Sequence, residues 1–487
     1  MKRSLVPLAA LALSGCVVGP NYISPAPKQP AQAPFASAAA PSLVPAEPPA
    51  DWWRLYNAPI LDRLVAEALA ANTDLRVAAA NLRQARAVLR ESHAARLPTT
   101  GISTSVGYGR TAGSTLGLSG QGPQGATYDA GFDLGYQLDL FGRITRTIEA
   151  SRADAEAVQA TYDLTRVTVA AETTRAYADA CSAGRQLAVA QESLRVQEDT
   201  FDLTRRLEAG GRGTGLDTSR AAALLEQTRA ELPSFQSAQR AALFRLSVLT
   251  GKPPADFPPE VAACNTPPTV ATQIPVGNGA TLLARRADVR AAERRLAAAT
   301  ARIGVATADL YPSVSLGGSI GSTANSLGGL TSSSGFRFSL GPLISWTFPN
   351  TSVARARIAQ AQASTEAALA TFDGTWLVAL RDTETALTNY VALGQRVEIL
   401  HRGRDQSAEA ARIARLRYRA GAESFQIVLD SERDLAQSEA LFSSAQAQYS
   451  DATVTLFLAL GGGWQQPAAD VSSAARAGAG TIGGLDH

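Results

Sequence analysis

Residues 143–207 contain no proline and a single glycine, Gly184, in a run dense in Ala, Arg, Glu, Gln and Leu. Alanine and straight-chain residues lose little freedom in a helix, so the stretch predicts one unbroken helix. At about 1.5 Å per residue it would be close to 100 Å long, far more than a globular domain uses. Its apolar positions form seams. Val158, Tyr162, Thr165 and Val169 recur at spacings of 4, 3 and 4, and Leu164, Val167, Ala171, Thr174, Ala178 and Cys181 make a second line. Further along, Leu187, Leu194 and Phe201 recur every seven residues. Two seams call for two neighbours, as in a ring or sheet of helices. By itself the stretch also suits one arm of a structural coiled coil.

The whole chain has 487 residues, room for two or three ordinary domains. A net charge of +2, with arginines interleaved with Asp and Glu, gives no large single-sign field, so nucleic acid is not an expected partner. Three histidines and one methionine leave little material for metal or acid–base chemistry. His93 and His401 lie in helical segments among Arg and Ala, with no nucleophile elbow or glycine-rich phosphate loop nearby. Neither an enzyme nor a cofactor is expected. Cys16, Cys181 and Cys264 lie far apart with no metal-ligand spacing. Cys181, on a helical seam, reads as a small packed residue.

The N-terminus begins Met1-Lys2-Arg3, continues with a mostly apolar run to Leu13, and reaches Leu13-Ser14-Gly15-Cys16. A basic start, a short apolar run and small residues before the cut describe an export signal. The ending resembles a bacterial lipobox, which makes residues 1–15 a lipoprotein signal peptide and Cys16 the lipidated first residue. Val17 stands where an aspartate would resemble an inner-membrane retention signal, so the outer membrane is the expected address. Acyl chains tether without spanning. No later segment offers the 18 or so consecutive apolar residues of a transmembrane helix, so any crossing must be made by β-structure.

Residues 16–50 are proline-rich and read as a linker, closed by Asp51-Trp52-Trp53, whose rings are suited to docking it on the folded body. A helical pattern over 61–97 ends at Pro98. The period then becomes two. Ile102, Thr104, Val106 and Tyr108 alternate with small polar residues, and Phe132, Leu134, Tyr136, Leu138 and Leu140 alternate with Asp133, Gly135, Gln137 and Asp139. A half-buried strand of a soluble sandwich reads this way, and so does a membrane-barrel strand with lipid on one side and a wet lumen on the other. Strands are expected at about 101–109 and 128–141. After the long helix come a glycine-rich turn, a helix over 217–249 and a linker over 252–278.

The series then repeats. Leu97-Pro98 matches Tyr311-Pro312 and Thr73-Asp74-Leu75-Arg76 matches Ala287-Asp288-Val289-Arg290, both at an offset of 214. Ile148 falls on Ile358, and Leu249-Thr250-Gly251 on Ala459-Leu460-Gly461, at 210. Two copies of a helix–strand–strand–helix–helix unit follow, over 51–251 and 279–464. The second has a helix over 282–310, strands at about 313–320 and 336–348, a long helix over 352–419 and a last helix to Leu460. A tail occupies 465–487. Four strands cannot close a transmembrane barrel, for which eight is the usual minimum. An open edge in lipid leaves backbone groups unpaired at several kcal/mol each. Several chains must therefore share one barrel.

The order of Leu13-Ser14-Gly15-Cys16, Asp51-Trp52-Trp53, Asp74-Leu75-Arg76, Leu138-Asp139-Leu140-Phe141-Gly142-Arg143, Arg417-Tyr418-Arg419-Ala420-Gly421, Ile427-Val428-Leu429-Asp430 and Leu460-Gly461-Gly462-Gly463-Trp464 resembles the TolC-like outer-membrane efflux family. The similarity is to its lipidated, NodT-like branch, which pairs with resistance-nodulation-division pumps. The resemblance implies a mainly α fold with a membrane β-barrel portion. In it, a homotrimer joins a twelve-stranded barrel in outer-membrane lipid to a periplasmic barrel of twelve helical columns. It implies a passive exit duct for small molecules, opened by a periplasmic adaptor and an inner-membrane pump of the resistance-nodulation-division type. A type I-like protein-secretion conduit would share the architecture. A coiled-coil envelope lipoprotein is the alternative from another class, although it has no use for the two-faced strands.

The resemblance also implies that the helical turns at 209–216 and 420–426 form a periplasmic gate. Asp430 matches the family's ring of carboxylates, and Ile427 stands where some members carry a second acid. Tyr418 and Asp217 match an inter-helix latch, with the extra glycine of the first turn blurring the register. Independently of the family, three like charges brought close repel and make a gap prefer cations. The plainer reading of Asp430 is a carboxylate favoured near a helix N-terminus.

Overall fold

The computed structural model describes residues 17–25, 35–110, 112, 117, 119–122 and 124–462. The lipobox, Cys16 and the tail at 465–487 lie outside them. In chain order the elements are β1 (Leu43–Val44), α1 (Pro59–Ala71), α2 (Thr73–Ala94), β2 (Thr99–Arg110), β3 (Gln124–Leu138), α3 (Arg143–Ala209), α4 (Gly215–Leu249), α5 (Pro259–Ala262) and β4 (Ile274–Pro275). They continue with α6 (Gly279–Arg285), α7 (Ala287–Ala308), β5 (Ser313–Ala324), β6 (Phe336–Ser345), α8 (Ser352–Arg419) and α9 (Phe425–Ala459). The duplication is exact in length for α2 and α7, at 22 residues each, and for α4 and α9, at 35 each. The long helices α3 and α8 have 67 and 68 residues. No helix among the described residues is long and apolar enough to cross a membrane.

The chain divides into two compact units. The first, 1–25 with 81–159 and 291–374, holds an antiparallel four-stranded sheet in the order β2-β3-β5-β6. Its register lines Ile102, Phe132, Ile320 and Phe338 into one row, and Leu138, Val314 and Ile344 into another. These rows share a face, because residues two apart on a strand point the same way. Ile102, Phe338 and Ile344 are 83%, 76% and 65% exposed, so in the single chain this apolar face is bare. The other face is polar. Arg337 donates to both carboxylate oxygens of Asp129, at 2.7 and 3.0 Å, and Ser103 donates to Asp133 at 2.7 Å.

Several boundaries depart from the periodicity. β3 ends at Leu138 rather than running to 141, because Asp139 accepts from the backbone N–H groups of Ile144 and Thr145, both at 2.8 Å, and so starts α3. Phe141 turns aside to stack on Tyr311, with ring centroids 4.6 Å apart. β5 extends to Ala324, and β6 stops at Ser345. In the same unit residues 17–25 are pinned rather than loose. Buried Arg146 donates to the carbonyls of Val18 and Gly19, each at 3.1 Å, and to Asn21 Oδ1 at 2.7 Å.

The second unit, 26–80 with 160–290 and 375–487, holds the main core. Trp52 is fully buried and stacks on Phe457, ring centroids 4.7 Å apart, which docks the segment as the aromatics suggest. The flanking stretches do more than link. Leu43–Val44 pair in parallel with Ile274–Pro275, so residues expected in two linkers form a small sheet, and Phe35 and Leu43 join the core. Where the pattern predicts single helices over 61–97 and 282–310, each is broken, at Asn72 and at Arg286. These breaks stand 214 apart. Asn72 accepts from the N–H groups of Asp74 and Leu75 and donates to Leu249 O at 3.1 Å, while Arg286 donates to Ala459 O at 3.0 Å. Each break thus receives the free carbonyl end of α4 or α9, a demand that lies about 175 residues away in sequence and leaves no local trace.

Cys181 is bonded to Cys264, 83 residues away, and is therefore not simply a small packed residue. The cross-link explains Gly184: a Cβ there would stand 2.1 Å from Cys264 O.

Candidate functional site

The paired turns belong to the second unit. Both long helices end the same way. Gly211 and Gly421, at φ 70° and 72°, take the left-handed conformation that glycine adopts without cost. Their N–H groups bond to Glu208 O and Tyr418 O, and the next residues, Arg212 and Ala422, bond back to Leu207 O and Arg417 O. Every one of these bonds repeats at an offset of 210, with Thr214 and Ser424 as the caps of α4 and α9. The extra glycine of the first turn, Gly210, simply replaces Ala420. It adds no length, so the register between the turns is not blurred.

An apolar pad joins the turns. Ala221, Leu224, Ala414, Phe425, Val428 and Leu429 are buried together, with Phe201 and Tyr418 at the edge. The Tyr418 ring lies 5.6 Å from that of Phe425. Burial, and then the charge of Asp217, pushes the Tyr418 phenol up. Asp217 itself belongs to the cap: its N–H bonds to Thr214 Oγ1 at 3.2 Å, and that hydroxyl donates to Asp217 Oδ2 at 2.7 Å. The charge of Asp217 is thus felt at Tyr418, but no hydrogen bond joins them and the carboxylate is held by its own helix.

Ile427 and Asp430 occupy the outer face of α9, and Ile427 is 46% exposed. The Asp430 carboxylate accepts two hydrogen bonds from Gln426 Nε2, at 2.9 and 3.0 Å. Gln426 Oε1 in turn accepts from Arg220 Nη1 on α4 at 2.9 Å. Two residues further, the chain turns inward. Glu432 is buried, pairs with Arg415 at 3.2 Å and accepts from Gln197 at 3.2 Å. Burial pushes its carboxyl up, against the pull of Arg415.

Sequence reasoning missed Arg220, Gln426 and Glu432, of which Arg220 and Glu432 left a signal. Phe425, Val428, Leu429 and Glu432 follow the spacing of one helical face, and all four are buried. Arg220 stands 210 residues before Asp430, the same offset that carries the closing hydrogen bonds of the turn.

Comparison with known proteins agrees with this frame. The family model described as outer membrane efflux protein matches residues 64–252 and 279–462, one block for each repeat. Nodulation protein T of Rhizobium leguminosarum bv. trifolii is 30% identical over 467 residues, 95% of this chain and 97% of its own. Outer membrane protein OprJ of Pseudomonas aeruginosa is 31% identical, over 94% of this chain and 95% of its own. Among solved structures, the outer-membrane channel OprN superposes with a TM-score of 0.87 at 35% identity, over 93% of this chain and all of that one. With duplicated blocks, a sheet bare on its apolar face and matched helical turns, the chain belongs to the outer membrane efflux protein family.

Proposed function

We propose that three copies of this chain close a twelve-stranded barrel in the outer membrane and form the exit duct of a tripartite system, fed by a periplasmic adaptor and an inner-membrane pump of the resistance-nodulation-division type. As a member of its family the chain is an outer-membrane efflux channel and not an enzyme. The observation that carries the assembly is the sheet. Among the described residues its edge strands β2 and β6 have no partner on their outer sides, and rows of bare apolar side chains run between them. In lipid, such edges must be paired by another copy. A coiled-coil strut would have no use for this face.

In this reading Cys16 carries the acyl chains and the paired turns form the periplasmic tip. Asp430 and Ile427 line its narrowest part, while Tyr418 and Asp217 hold neighbouring turns closed. Support for the latch is the electrostatic reach of Asp217 to the Tyr418 phenol, and support for the ring is the exposure of Asp430 on a helix whose other face is packed. Deletion of the gene, tested against dyes, detergents and antibiotics, should raise accumulation and sensitivity. Native mass spectrometry of the detergent-extracted protein should give three chains. Unchanged sensitivity across the panel, or a monomer in detergent, would overturn the reading. For the tip, the Asp217→Ala, Tyr418→Phe double variant should leak more current in a planar bilayer than the parent; equal current would remove the latch.

A further inference from the structure

We infer that Arg220 is the built-in counter-charge of Asp430, so that the proposed aperture is charge-balanced rather than a plain acidic ring. The inference rests on the reading of the turns as the tip. Its basis is the exactness of the duplication. Helices α4 and α9 have 35 residues each, begin at 215 and 425, and end at 249 and 459. Their preceding turns share the hydrogen bonds that close the long helices, from the N–H groups of Gly211 and Arg212 and of Gly421 and Ala422. Position 220 in the first repeat is therefore position 430 in the second, and the two carry opposite charges.

Geometry ties the pair together. Arg220 donates to Gln426 Oε1, and Gln426 Nε2 donates to both oxygens of Asp430. One amide faces a cation with its oxygen and an anion with its nitrogen, so its two neighbours dictate its orientation. A uniform acidic ring would give such an amide no reason to offer its oxygen to α4. In a trimer with equivalent columns, three carboxylates and three guanidiniums would alternate around the opening. Opposite charges spaced within the screening length of about 8 Å cancel each other's field at longer range. The expectation of a cation-preferring gap counts only the α9 charge. With Arg220 included, the opening favours neither sign, which suits a duct that passes both cationic and anionic cargo.

The test is reversal potential in planar bilayers holding purified trimers, under a gradient of potassium chloride near roughly 0.1 M. The parent should be close to non-selective. Arg220→Ala should shift permeability toward cations, and Asp430→Ala toward anions, each by roughly three-fold; the double variant should return toward the parent. Arg220→Gln, which keeps a hydrogen-bonding side chain without charge, should behave like Arg220→Ala and guards against a folding defect. A shift with Asp430→Ala but none with either Arg220 variant would overturn the counter-charge while leaving the tip in place. No shift with any variant would remove the tip reading as well.

Discussion

Helices α3 and α8 differ by one residue in length and end in the same turn, yet they meet solvent very differently. Helix α3 is buried along most of its course, from Ile144 to Ala190, through a run of alanines that lets neighbours approach closely. Helix α8 buries only Trp376, Ala379, Thr383, Ala386, Leu387, Tyr390, Ala411 and Ala414. It leaves Leu377, Val378, Ile399, Ile413 and Leu416 bare, with Leu377 56% exposed. Two helices of one architecture thus face two kinds of partner. One has its neighbours within the chain, and the other presents the apolar face that a second copy would cover in the proposed trimer.

A charge on each helix should separate these roles most sharply. Val167→Asp, at a position 2% exposed, buries an unpaired carboxylate at a cost of several kcal/mol and should abolish folded protein. Leu377→Asp should leave the helical circular dichroism intact but yield monomers by light scattering in detergent. Trimers of normal yield from Leu377→Asp would break the comparison.

Next in size is the disulfide, which α8 lacks: the residue equivalent to Cys181 is Val391. Closing a loop of 83 residues corresponds to about 4.5 kcal/mol in the chain-entropy model. The double variant Cys181→Ser, Cys264→Ser should lower the denaturant midpoint accordingly, and reductant should bring the parent down to the same value. No change on reduction would show that the bond adds nothing to stability.

The glycines refine the contrast further. Gly184 and Gly394 are equivalent, 210 residues apart. A Cβ at Gly184 would meet Cys264 O at 2.1 Å, whereas one at Gly394 would meet only the Tyr449 ring at 3.3 Å. Gly184→Ala should therefore destabilise by about 1–3 kcal/mol. Gly394→Ala should be near neutral. Gly403→Ala, with nothing within 4 Å, should stabilise by about 0.5–1 kcal/mol, as alanine does in an open helix. Thermal midpoints of the three variants rank them directly, and a stabilising Gly184→Ala would refute the close approach.

The smallest effect expected is one of pH. Burial raises the Glu432 carboxyl in the folded chain, so the folded state keeps a proton that the unfolded chain has released. Stability from this group is full below the ordinary carboxylate range and is lost as pH rises through that range toward the raised folded value. The facing groups are Arg415 and Gln197, with Glu439 adding its own charge. Hydrogen-exchange protection of residues 425–435 should be lower at neutral pH than near about pH 5. Glu432→Gln should flatten that dependence; an unchanged slope would assign it to another group.

Much of the fold was legible because its signals are local. A proline-free run, a period of two and an offset of 210 or 214 can each be read without knowing what lies opposite, and they yield the helices, the two-faced strands and the duplication. Of the proposed tip, Asp430, Ile427, Tyr418 and Asp217 were readable by resemblance. Arg220 and Glu432 were readable only by taking the offset and the helical face as far as they go.

What the amino-acid order determined on its own is the two long helices, the four two-faced strands and their repetition, since propensity and periodicity act between near neighbours. Only the tertiary structure decided that Cys181 meets Cys264, that Asn72 and Arg286 receive distant helix ends, and that one glutamine bridges Arg220 to Asp430. Those pairings join groups from about 80 to more than 200 residues apart, and their energy depends on distances that no local pattern encodes.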